Sequence, residues 1–522
     1  TMHTFITGST GSGKSNTIYE ILNQLRNLYG IPFLVIEPAK GEYKNVFGQF
    51  ADVSVYGTNP KKSMMLRINP FRFPKDVHVL EHLDRLVEIF NVCWPMYAAM
   101  PAILKEAMEK SYVAVGWDLS ASENKKGEKY PNFADLLEQI ECVINDSKYS
   151  ADSKGDYSGA LLTRVRSLTN GLNGMIFCND DLEDKALFDK NVIVDLSRVG
   201  STETKSLIMG ILVMKLNEYR MDSGKINSPL NHITVLEEAH NVLRKTSTEQ
   251  DGESANLLGK SVELLANSIA EMRTYGEGFI IADQSPGLLD MSVIRNTNTK
   301  IILRLPEKSD RELVGYAASL NEEQIKELSK LKRGVAAVYQ SDWIEPVLVH
   351  VNRCEIEEMI FDYANHEKIA DKADLRMQLM NFLIQGRVNE RLYYDIAEIE
   401  QNIDSFGFSL RDTEFVKKQI AEYKAADGIL EIWQDENFAN LSQRITDMLG
   451  VRTRIENCVL TAKDNVSLTD MLSRIILQDF PNMSESAILV LSQCFMRDMS
   501  IQKEERETRE RIYMQWFDSV WG

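Results

Sequence analysis

Residues 8–15 read GSTGSGKS and match the phosphate-binding P-loop pattern at every fixed position. In this pattern, glycines let backbone N–H groups surround the phosphates, and the lysine, here Lys14, neutralises β- and γ-phosphate charge. The Ser15 hydroxyl can coordinate magnesium, and the helix that follows directs its N-terminal dipole at the phosphates. The candidate nucleotide-binding residues are Gly8, Ser9, Thr10, Gly11, Ser12, Gly13, Lys14, Ser15 and Asn16.

Two adjacent glutamates end an apolar run in the middle of the chain. Residues 233–236 read ITVL and lead into Glu237 and Glu238, the arrangement of a Walker B motif. Nucleotide hydrolysis requires a magnesium-supporting acid and a group that activates water. We predict that Glu237 holds the magnesium shell through water and that Glu238 orients and activates the attacking water. Paired acids that leave a strand into solvent are the alternative, so this interpretation depends on the P-loop.

Gln284 follows another apolar run, residues 279–283, and is predicted to project at the same edge of a sheet. Its amide can donate to a γ-phosphate oxygen and accept from water, which suits a γ-phosphate sensor; a polar residue that caps a strand is the alternative. We assign His240 to packing or local hydrogen bonding, because no metal-ligand partner accompanies it. Glu37 and Asp195 also end predicted strands, but the sequence does not distinguish them from ordinary strand-end acids.

The elements that must position these residues form an α/β pattern. A β-rich run enters the P-loop, and an amphipathic helix with Ile18, Leu22 and Leu25 on one face leaves it. Further along, strands alternate with helices, which is typical of a mostly parallel sheet. The predicted strands of this sheet are residues 3–7, 32–37, 191–196, 232–236, 278–282 and 300–305.

The same patterns predict the domain organisation. Helical periodicity over about residues 75–185 predicts a helical insertion in the sheet domain, and residues 334–339 and 346–351 predict an antiparallel hairpin that closes it. Strand signals fade beyond the hairpin. We therefore predict an ATPase domain over residues 1–354 and a C-terminal helical domain over residues 355–522.

Composition limits the classes of function. The net charge of −18 over 522 residues argues against a surface that coats nucleic acid, although it does not exclude a locally basic channel. Apolar runs such as residues 207–214 are far shorter than the roughly 20 residues that span a bilayer, so we expect a cytoplasmic protein. The six cysteines are scattered without a CxxC pair, which indicates neither a zinc site nor a disulfide framework.

Taken together, residues 8–15, the sequence EEAH at 237–240 and the sequence DQSP at 283–286 resemble the HerA branch of the HerA/FtsK ATPases. Residues 36–43 and 296–301 are also similar to the family, whereas the first glutamate of EEAH stands where aspartate is usual. The resemblance covers about residues 1–352. It implies a RecA-like P-loop NTPase that uses ATP and Mg²⁺, forms a homo-hexamer and moves double-stranded DNA through a central pore.

The resemblance also extends the candidate site. The family's trans-acting arginine lies on a helix before the sensor strand, so the resemblance implies that role for Arg273; residues 245–260 form a polar insertion relative to the family pattern. Arg304 is a second candidate for phosphate sensing or subunit contact. Family members carry a β-barrel before the motor, which we expect to be absent from this chain.

Three functions are compatible with these patterns. The first is an ATP-hydrolysing DNA translocase or helicase-like motor, working with a partner nuclease or with a sirtuin-like effector as in antiviral relatives. The second is an ATP-dependent assembly scaffold that switches an effector, which the acidic composition favours. The third is a secretion or conjugation ATPase, since those motors share the fold. The sequence does not identify the partner or the form of DNA.

Overall fold

The computed structural model of the protein contains β1 (Thr4–Thr7), β2 (Phe33–Glu37), β3 (Val53–Gly57), β4 (Met64–Met65), β5 (Trp117–Asp118), β6 (Glu123–Asn124), β7 (Asn191–Asp195), β8 (His232–Glu237), β9 (Glu277–Asp283), β10 (Thr299–Ile302), β11 (Val335–Gln340) and β12 (Val347–His350). The structure describes residues 3–50, 52–94, 96–245, 254–361, 363, 372–426, 428, 430, 434–480, 483–502 and 506–521. Within these ranges the chain divides into two compact units, residues 1–366 and 367–522.

Ten of the strands form one sheet in the order β12-β11-β10-β1-β9-β8-β2-β7-β3-β4. All neighbours from β10 to β4 are parallel, while β11 and β12 form an antiparallel hairpin on β10. The predicted α/β fold with a mostly parallel sheet and a closing hairpin is therefore confirmed. Because parallel strands end at the same edge, the loops after β1, β9, β8, β2 and β7 meet there, at what we call the carboxyl edge.

Helices cover the sheet of the first unit and fill the predicted insertion. The central strands of the sheet are buried on both faces. The helix α1 packs its apolar side on them through Ile18 and Leu22, which are fully buried. The insertion, from α3 to α8, has an aromatic core in which Phe133 packs on Phe71, a buried residue that precedes the insertion. The helices are α1 (Lys14–Tyr29), α2 (Tyr43–Phe47), α3 (Val79–Cys93), α4 (Met100–Ala114), α5 (Phe133–Asp146), α6 (Ala151–Thr169), α7 (Gly171–Ile176), α8 (Asp184–Phe188), α9 (Thr202–Ser223), α10 (Ser254–Met272), α11 (Met291–Asn296), α12 (Lys308–Ala317) and α13 (Glu322–Glu327).

Two strands of the sheet, β3 and the two-residue β4, are absent from the sequence-based prediction. β3 pairs in parallel with β7 along its full length. Its five residues, VSVYG, are short and interrupted by Ser54, so they give a weaker signal than the continuous apolar runs of β2 and β8. The predicted insertion at residues 245–260 falls largely on residues 246–253, which lie outside the described residues.

The first unit continues past the predicted boundary at residue 354. The backbone N–H of Met359 donates to the carbonyl of Asn45 at 2.9 Å, and the N–H of Phe361 donates to the Asn45 side chain at 3.1 Å. The Phe361 ring also packs on the core of the first unit. These contacts attach the segment after β12 to α2 rather than to the helices that follow.

In its described residues the second unit is helical. Its core is a single apolar cluster that includes the fully buried Trp516, whose indole N–H donates to Thr469 Oγ1 at 2.9 Å. A buried ion pair between Arg444 and Asp412, 2.8 Å apart, joins two of its helices. No helix in the described part of the chain combines the length and hydrophobicity needed to cross a bilayer. The helices are α14 (Lys372–Ile384), α15 (Ile396–Asn402), α16 (Leu410–Ala425), α17 (Asp435–Leu449), α18 (Arg452–Thr461), α19 (Asn465–Asp479), α20 (Glu485–Ile501) and α21 (Arg506–Trp521).

Candidate nucleotide-binding and hydrolysis site

The P-loop connects the carboxyl end of β1 to the start of α1, and its glycines are required by geometry. Gly13 has φ 109°, in the left-handed region that side chains rarely adopt. A Cβ atom on Gly8 would lie 2.5 Å from Ser12 Oγ and 2.8 Å from Leu303 Cβ. The loop therefore turns tightly between β10 and α1, so that the amino end of α1 opens at the carboxyl edge.

Buried polar atoms of this loop lack protein partners. Lys14 is 8% exposed, and among the described residues its Nζ has no hydrogen-bond partner. The same holds for the hydroxyls of Thr7, Ser9 and Ser12. Burying unpaired donors costs free energy unless a ligand satisfies them. The donor set, at a helix N-terminus, therefore fits the phosphates of a nucleotide.

Lys14 lies between the two predicted acids of β8. Its Nζ is 3.7 Å from Glu237 Oε2 and 3.6 Å from Glu238 Oε1. These distances are ion-pair contacts without hydrogen-bond geometry, so Lys14 remains free to bind an anion. The structure thus brings the P-loop lysine and both glutamates together at the end of β8, as the motifs predict.

Oxygen atoms surround a small cavity beside the P-loop. It is lined by Ser15, Glu237 and Glu238, by Glu37 at the end of β2 and Tyr43 at the start of α2, and by residues of the loop between them. Hydroxyl and carboxylate oxygens are the ligands that Mg²⁺ prefers. Ser15 and Glu237 would therefore hold the ion beside the phosphates, and the donor set fits this metal.

Tyr43 orients Glu237. Its side chain is buried, and its hydroxyl donates to Glu237 Oε1 at 2.7 Å. The hydrogen bond fixes the rotamer of the carboxylate and leaves Oε2 on the Lys14 side. The resemblance to the family included residues 36–43, which end in Gly41, Glu42 and Tyr43, but it assigned Tyr43 no role. The position of this segment directly after a buried strand was the available signal.

Glu238, Gln284 and Thr10 form a connected chain of hydrogen bonds. The Gln284 amide donates to Glu238 Oε1, and Thr10 Oγ1 donates to Gln284 Oε1 at 2.9 Å. The order β1-β9-β8 explains this geometry, because the sensor strand lies between the P-loop strand and the strand with the acids. The predicted water-activating acid, the predicted sensor and the P-loop are thus in contact in one subunit.

The backbone of Glu238 is strained. Its φ of 46° and ψ of 51° place a non-glycine residue in the left-handed region. Such conformations cost about 1–3 kcal/mol and persist where the surroundings impose them. Here the turn stops β8 abruptly and is followed by the short helix Ala239–Asn241, so the Glu238 carboxylate lies beside Gln284 rather than continuing along the strand.

Two further strand-end acids hold the loop after β2 in place. Glu37 accepts the backbone N–H groups of Glu42 and Tyr43 at 2.8 and 3.3 Å. Burial raises the pKa of Glu37 to about 8, against the lowering effect of these two hydrogen bonds. Asp195 pairs with Lys44, and although burial opposes it, this contact lowers the pKa of Asp195. Both acids therefore have a structural task that the sequence did not reveal.

His240 belongs to a hydrogen-bonded pair next to Glu238. Its Nδ1 lies 2.9 Å from Asp283 Oδ2 and 3.6 Å from Glu238 Oε2, and its backbone N–H also binds Asp283 at 2.9 Å. The hydrogen bond with Asp283 raises the pKa of His240. These contacts match the local hydrogen bonding expected of this histidine and tie the turn after β8 to the end of β9.

Asn16 and Arg304 flank the P-loop on the side of the hairpin. The Asn16 side chain donates to the carbonyl of Asn352 at 2.9 Å and accepts from the N–H of Cys354 at 3.0 Å. Arg304 accepts the Ser9 N–H with its carbonyl at 2.9 Å, and its side chain is half-buried. The structure thus uses the Asn16 side chain to fasten the chain after β12, whereas Arg304 borders the loop.

Arg273 lies at the opposite edge of the sheet. It is exposed, in the short helix Arg273–Tyr275 that precedes β9, whereas Gln284 follows β9. The seven residues of β9 separate the two edges by about 20 Å. The turn is held by hydrogen bonds from Ser228 to the carbonyl of Thr274 and from Asn231 to that of Gly276. Arg273 is therefore not brought to the P-loop of its own subunit.

Comparison with known proteins adds the evolutionary context. The family described as helicase HerA, central domain, matches residues 1–216. The DNA double-strand break repair helicase HerA of Sulfurisphaera tokodaii is 23% identical over 359 residues, covering 68% of this chain and 66% of the relative. The DNA import protein CedB of Sulfolobus acidocaldarius is 24% identical over 294 residues, covering 54% and 40%.

Two solved structures are similar to this chain over about two thirds of its length. VirB4 of Thermoanaerobacter pseudethanolicus gives a TM-score of 0.48 at 16% identity, covering 68% of this chain and 90% of that chain. The plasmid coupling protein TrwB in complex with ADP and Mg²⁺ gives 0.48 at 13% identity, covering 68% and 86%. The matched region spans 66% of the length of the HerA relative. Residues 1–216 are thus similar to the HerA central domain and lie on a mostly parallel sheet with a P-loop, and the resemblance predicted from the motifs is confirmed.

Proposed function

We propose that this HerA-like chain is the ATP-hydrolysing subunit of a ring motor that moves double-stranded DNA. The observation that carries the proposal is the continuous contact from Thr10 through Gln284 to Glu238, beside Lys14, whose Nζ has no hydrogen-bond partner among the described residues. A P-loop that only binds nucleotide does not need an acid held at the γ-phosphate end. We propose DNA as the substrate because the HerA relatives are described as DNA repair helicases.

The residues divide the work of hydrolysis. ATP with Mg²⁺ supplies the phosphoanhydride bond and the charge that spreads onto its oxygens during cleavage. Lys14 and the N-terminus of α1 bind the phosphates, and Glu237, oriented by Tyr43, holds the metal shell. Glu238 takes a proton from the attacking water, while the Gln284 amide positions that water against the γ-phosphate.

Arg273 supports a ring because it has no P-loop within reach in its own subunit. It is exposed at the edge opposite the carboxyl edge, which we call the amino edge, in a turn that backbone hydrogen bonds hold in place. In a head-to-tail ring, this edge of one subunit faces the carboxyl edge of the next, so Arg273 would complete the neighbouring site. The resemblance to HerA favours a hexamer.

Subunit mixing tests this assignment. We expect Arg273→Ala and Lys14→Ala proteins to be inactive separately and to recover a fraction of ATP turnover when mixed, because mixed rings contain intact interfaces. Arg295→Ala, an exposed arginine on α11, is the control and should retain activity alone. Mixtures that stay as inactive as the separate variants would show that Arg273 does not act in trans.

ATP turnover with and without duplex DNA ends tests the motor itself, alongside the molecular mass of the assembly with and without ATP. We expect the assembly to have the mass of a hexamer and its ATP turnover to be strongly stimulated by DNA. A second candidate is a scaffold whose ATP state switches an effector such as a nuclease, which the net charge of −18 favours. Stimulation by a partner protein and not by DNA would select the scaffold and reject the motor.

A further inference from the structure

A group of basic residues borders the P-loop on the side away from Glu237 and Glu238. We call it the basic half of the carboxyl edge; it consists of Arg304, Lys332, Arg333 and Arg353. They come from three places: after β10, before β11 and after β12. The antiparallel pairing of β10, β11 and β12 brings these three segments to the same edge.

These residues adjoin the loop directly through the backbone. The Gly334 N–H donates to the Ser12 carbonyl at 2.9 Å. A Cβ atom on Gly13 would lie 3.3 Å from the Gly334 nitrogen, so Arg333 is one residue from van der Waals contact with the phosphate loop. On the other flank, Arg353 is adjacent to Asn352, whose carbonyl accepts from Asn16 in the first turn of α1.

The side chains of the basic half have no partner within the described ranges. None of them forms an ion pair or a side-chain hydrogen bond there, and Lys332, Arg333 and Arg353 are exposed. By contrast, Lys44 on the other side forms an ion pair with Asp195. In a chain with a net charge of −18, unpaired cations grouped at one place require an explanation.

We propose that Arg333, assisted by Lys332 and Arg353, binds the polyphosphate of a nucleoside triphosphate in the same subunit, from the side opposite to the magnesium ligands. This inference rests on nucleotide binding at the P-loop, as in the proposed function. Guanidinium groups suit phosphate because their donors form paired, charge-assisted hydrogen bonds. The location next to Ser12 and Gly13 favours the nucleotide over more distant anions such as DNA phosphates or a neighbouring subunit's carboxylates.

Equilibrium titration of the full-length chain tests the inference. The probe is a fluorescent ATP analogue, displaced by ATP and, separately, by inorganic tripolyphosphate. We expect Arg333→Ala to weaken both competitors about five- to tenfold, and Arg333→Lys to restore part of the loss. Arg295→Ala, an exposed arginine at the amino edge, should match the wild type.

The controls separate this inference from the proposed function. Failure of the wild type to bind the analogue, or full binding by Lys14→Ala, would reject the P-loop assignment itself. If the wild type binds and Lys14→Ala does not, equal affinities of Arg333→Ala and Arg295→Ala would overturn the inference alone. A defect of Arg333→Ala confined to DNA binding or to ring mass would overturn it in favour of the other anions. Thermal unfolding at the wild-type temperature verifies that the variant is folded.

Discussion

The carboxyl edge of the sheet differs in chemistry on the two sides of the P-loop. On one side, which we call the acidic half, β2, β7, β8 and β9 end in Glu37, Asp195, Glu237 and Asp283. On the other side lies the basic half. The carboxylates are buried and hydrogen-bonded, whereas the cations of the basic half have no side-chain partner among the described residues.

The difference shows which parts of a phosphate site must be built in advance. Activation of water and coordination of a metal depend on the position of each oxygen, so the acidic half is fixed by a network of hydrogen bonds. Attraction of a polyphosphate depends mostly on charge, so side chains in the basic half need no partner before the ligand arrives. Lys14 lies between the two halves, and its contacts with Glu237 and Glu238 are ion pairs without a hydrogen bond.

The largest effect should come from Lys14→Ala, at the boundary. We expect ATP turnover to fall by more than about 100-fold, because the phosphate charge loses its buried counter-ion. Steady-state turnover under saturating Mg²⁺ measures the loss. Lys61→Ala, an exposed lysine after β3, serves as the control. Near-normal turnover of Lys14→Ala would contradict the assignment of Lys14 and the P-loop to ATP hydrolysis.

Glu238→Gln should abolish the proposed task of the acidic half, hydrolysis, while leaving ATP binding intact. The amide keeps the shape of the side chain but cannot accept a proton, so we expect turnover to fall about 100-fold while the affinity for ATP stays within about twofold. Turnover and displacement of a fluorescent analogue provide the two readouts. A variant that hydrolyses ATP normally would place the base elsewhere in the acidic half.

Tyr43→Phe should have a smaller effect, restricted to the metal. Loss of the hydrogen bond to Glu237 costs about 1 kcal/mol, so we expect the Mg²⁺ concentration for half-maximal turnover to rise about fivefold. Turnover at saturating Mg²⁺ should change by less than about twofold. Tyr112→Phe, a fully buried tyrosine of the insertion, is the matched control. An unchanged Mg²⁺ dependence would mean that Glu237 does not rely on Tyr43.

The smallest effect concerns stability and pH. Because the pKa of Glu37 is raised to about 8, the folded chain keeps a proton that the unfolded chain releases above about pH 4.5. The stabilisation is complete below pH 4.5 and is lost as pH rises through 8. Glu37→Gln should therefore reduce the fall in Tm between pH 6 and pH 9 by a few degrees, measured without nucleotide. An equal fall in Glu37→Gln and in Glu263→Gln, on α10, would contradict this linkage.

The acidic half was largely predictable from sequence because its residues end continuous apolar runs. Glu237, Glu238 and Gln284 each follow a buried strand, and parallel strands end at one edge. The sequence could not give the role of Tyr43, since its contact with Glu237 joins positions far apart in the chain. Likewise, the separation of Arg273 from its own P-loop follows from strand length and direction, which only the assembled sheet shows.

The grouping of the basic half beside the P-loop could mostly not be predicted from the sequence, for a related reason. Lys332 and Arg333 precede an antiparallel strand and Arg353 follows another, so none of them ends a parallel strand. Isolated surface cations are common, and only the register of β10 with β11 brings these to the P-loop. Arg304 was a candidate because the sequence predicts it within the strand at residues 300–305, whereas β10 ends at Ile302. β3 was not predicted because five residues with a serine at the second position give little periodicity.

The left-handed backbone at Glu238 sets stability and activity against each other. A glycine there would relieve the strain and remove one of two carboxylates that approach each other through Lys14. Selection for heat resistance alone would therefore favour loss of the proposed water-activating group. The glutamate at this position therefore gives up part of the chain's folding stability in exchange for a carboxylate at the proposed hydrolysis site.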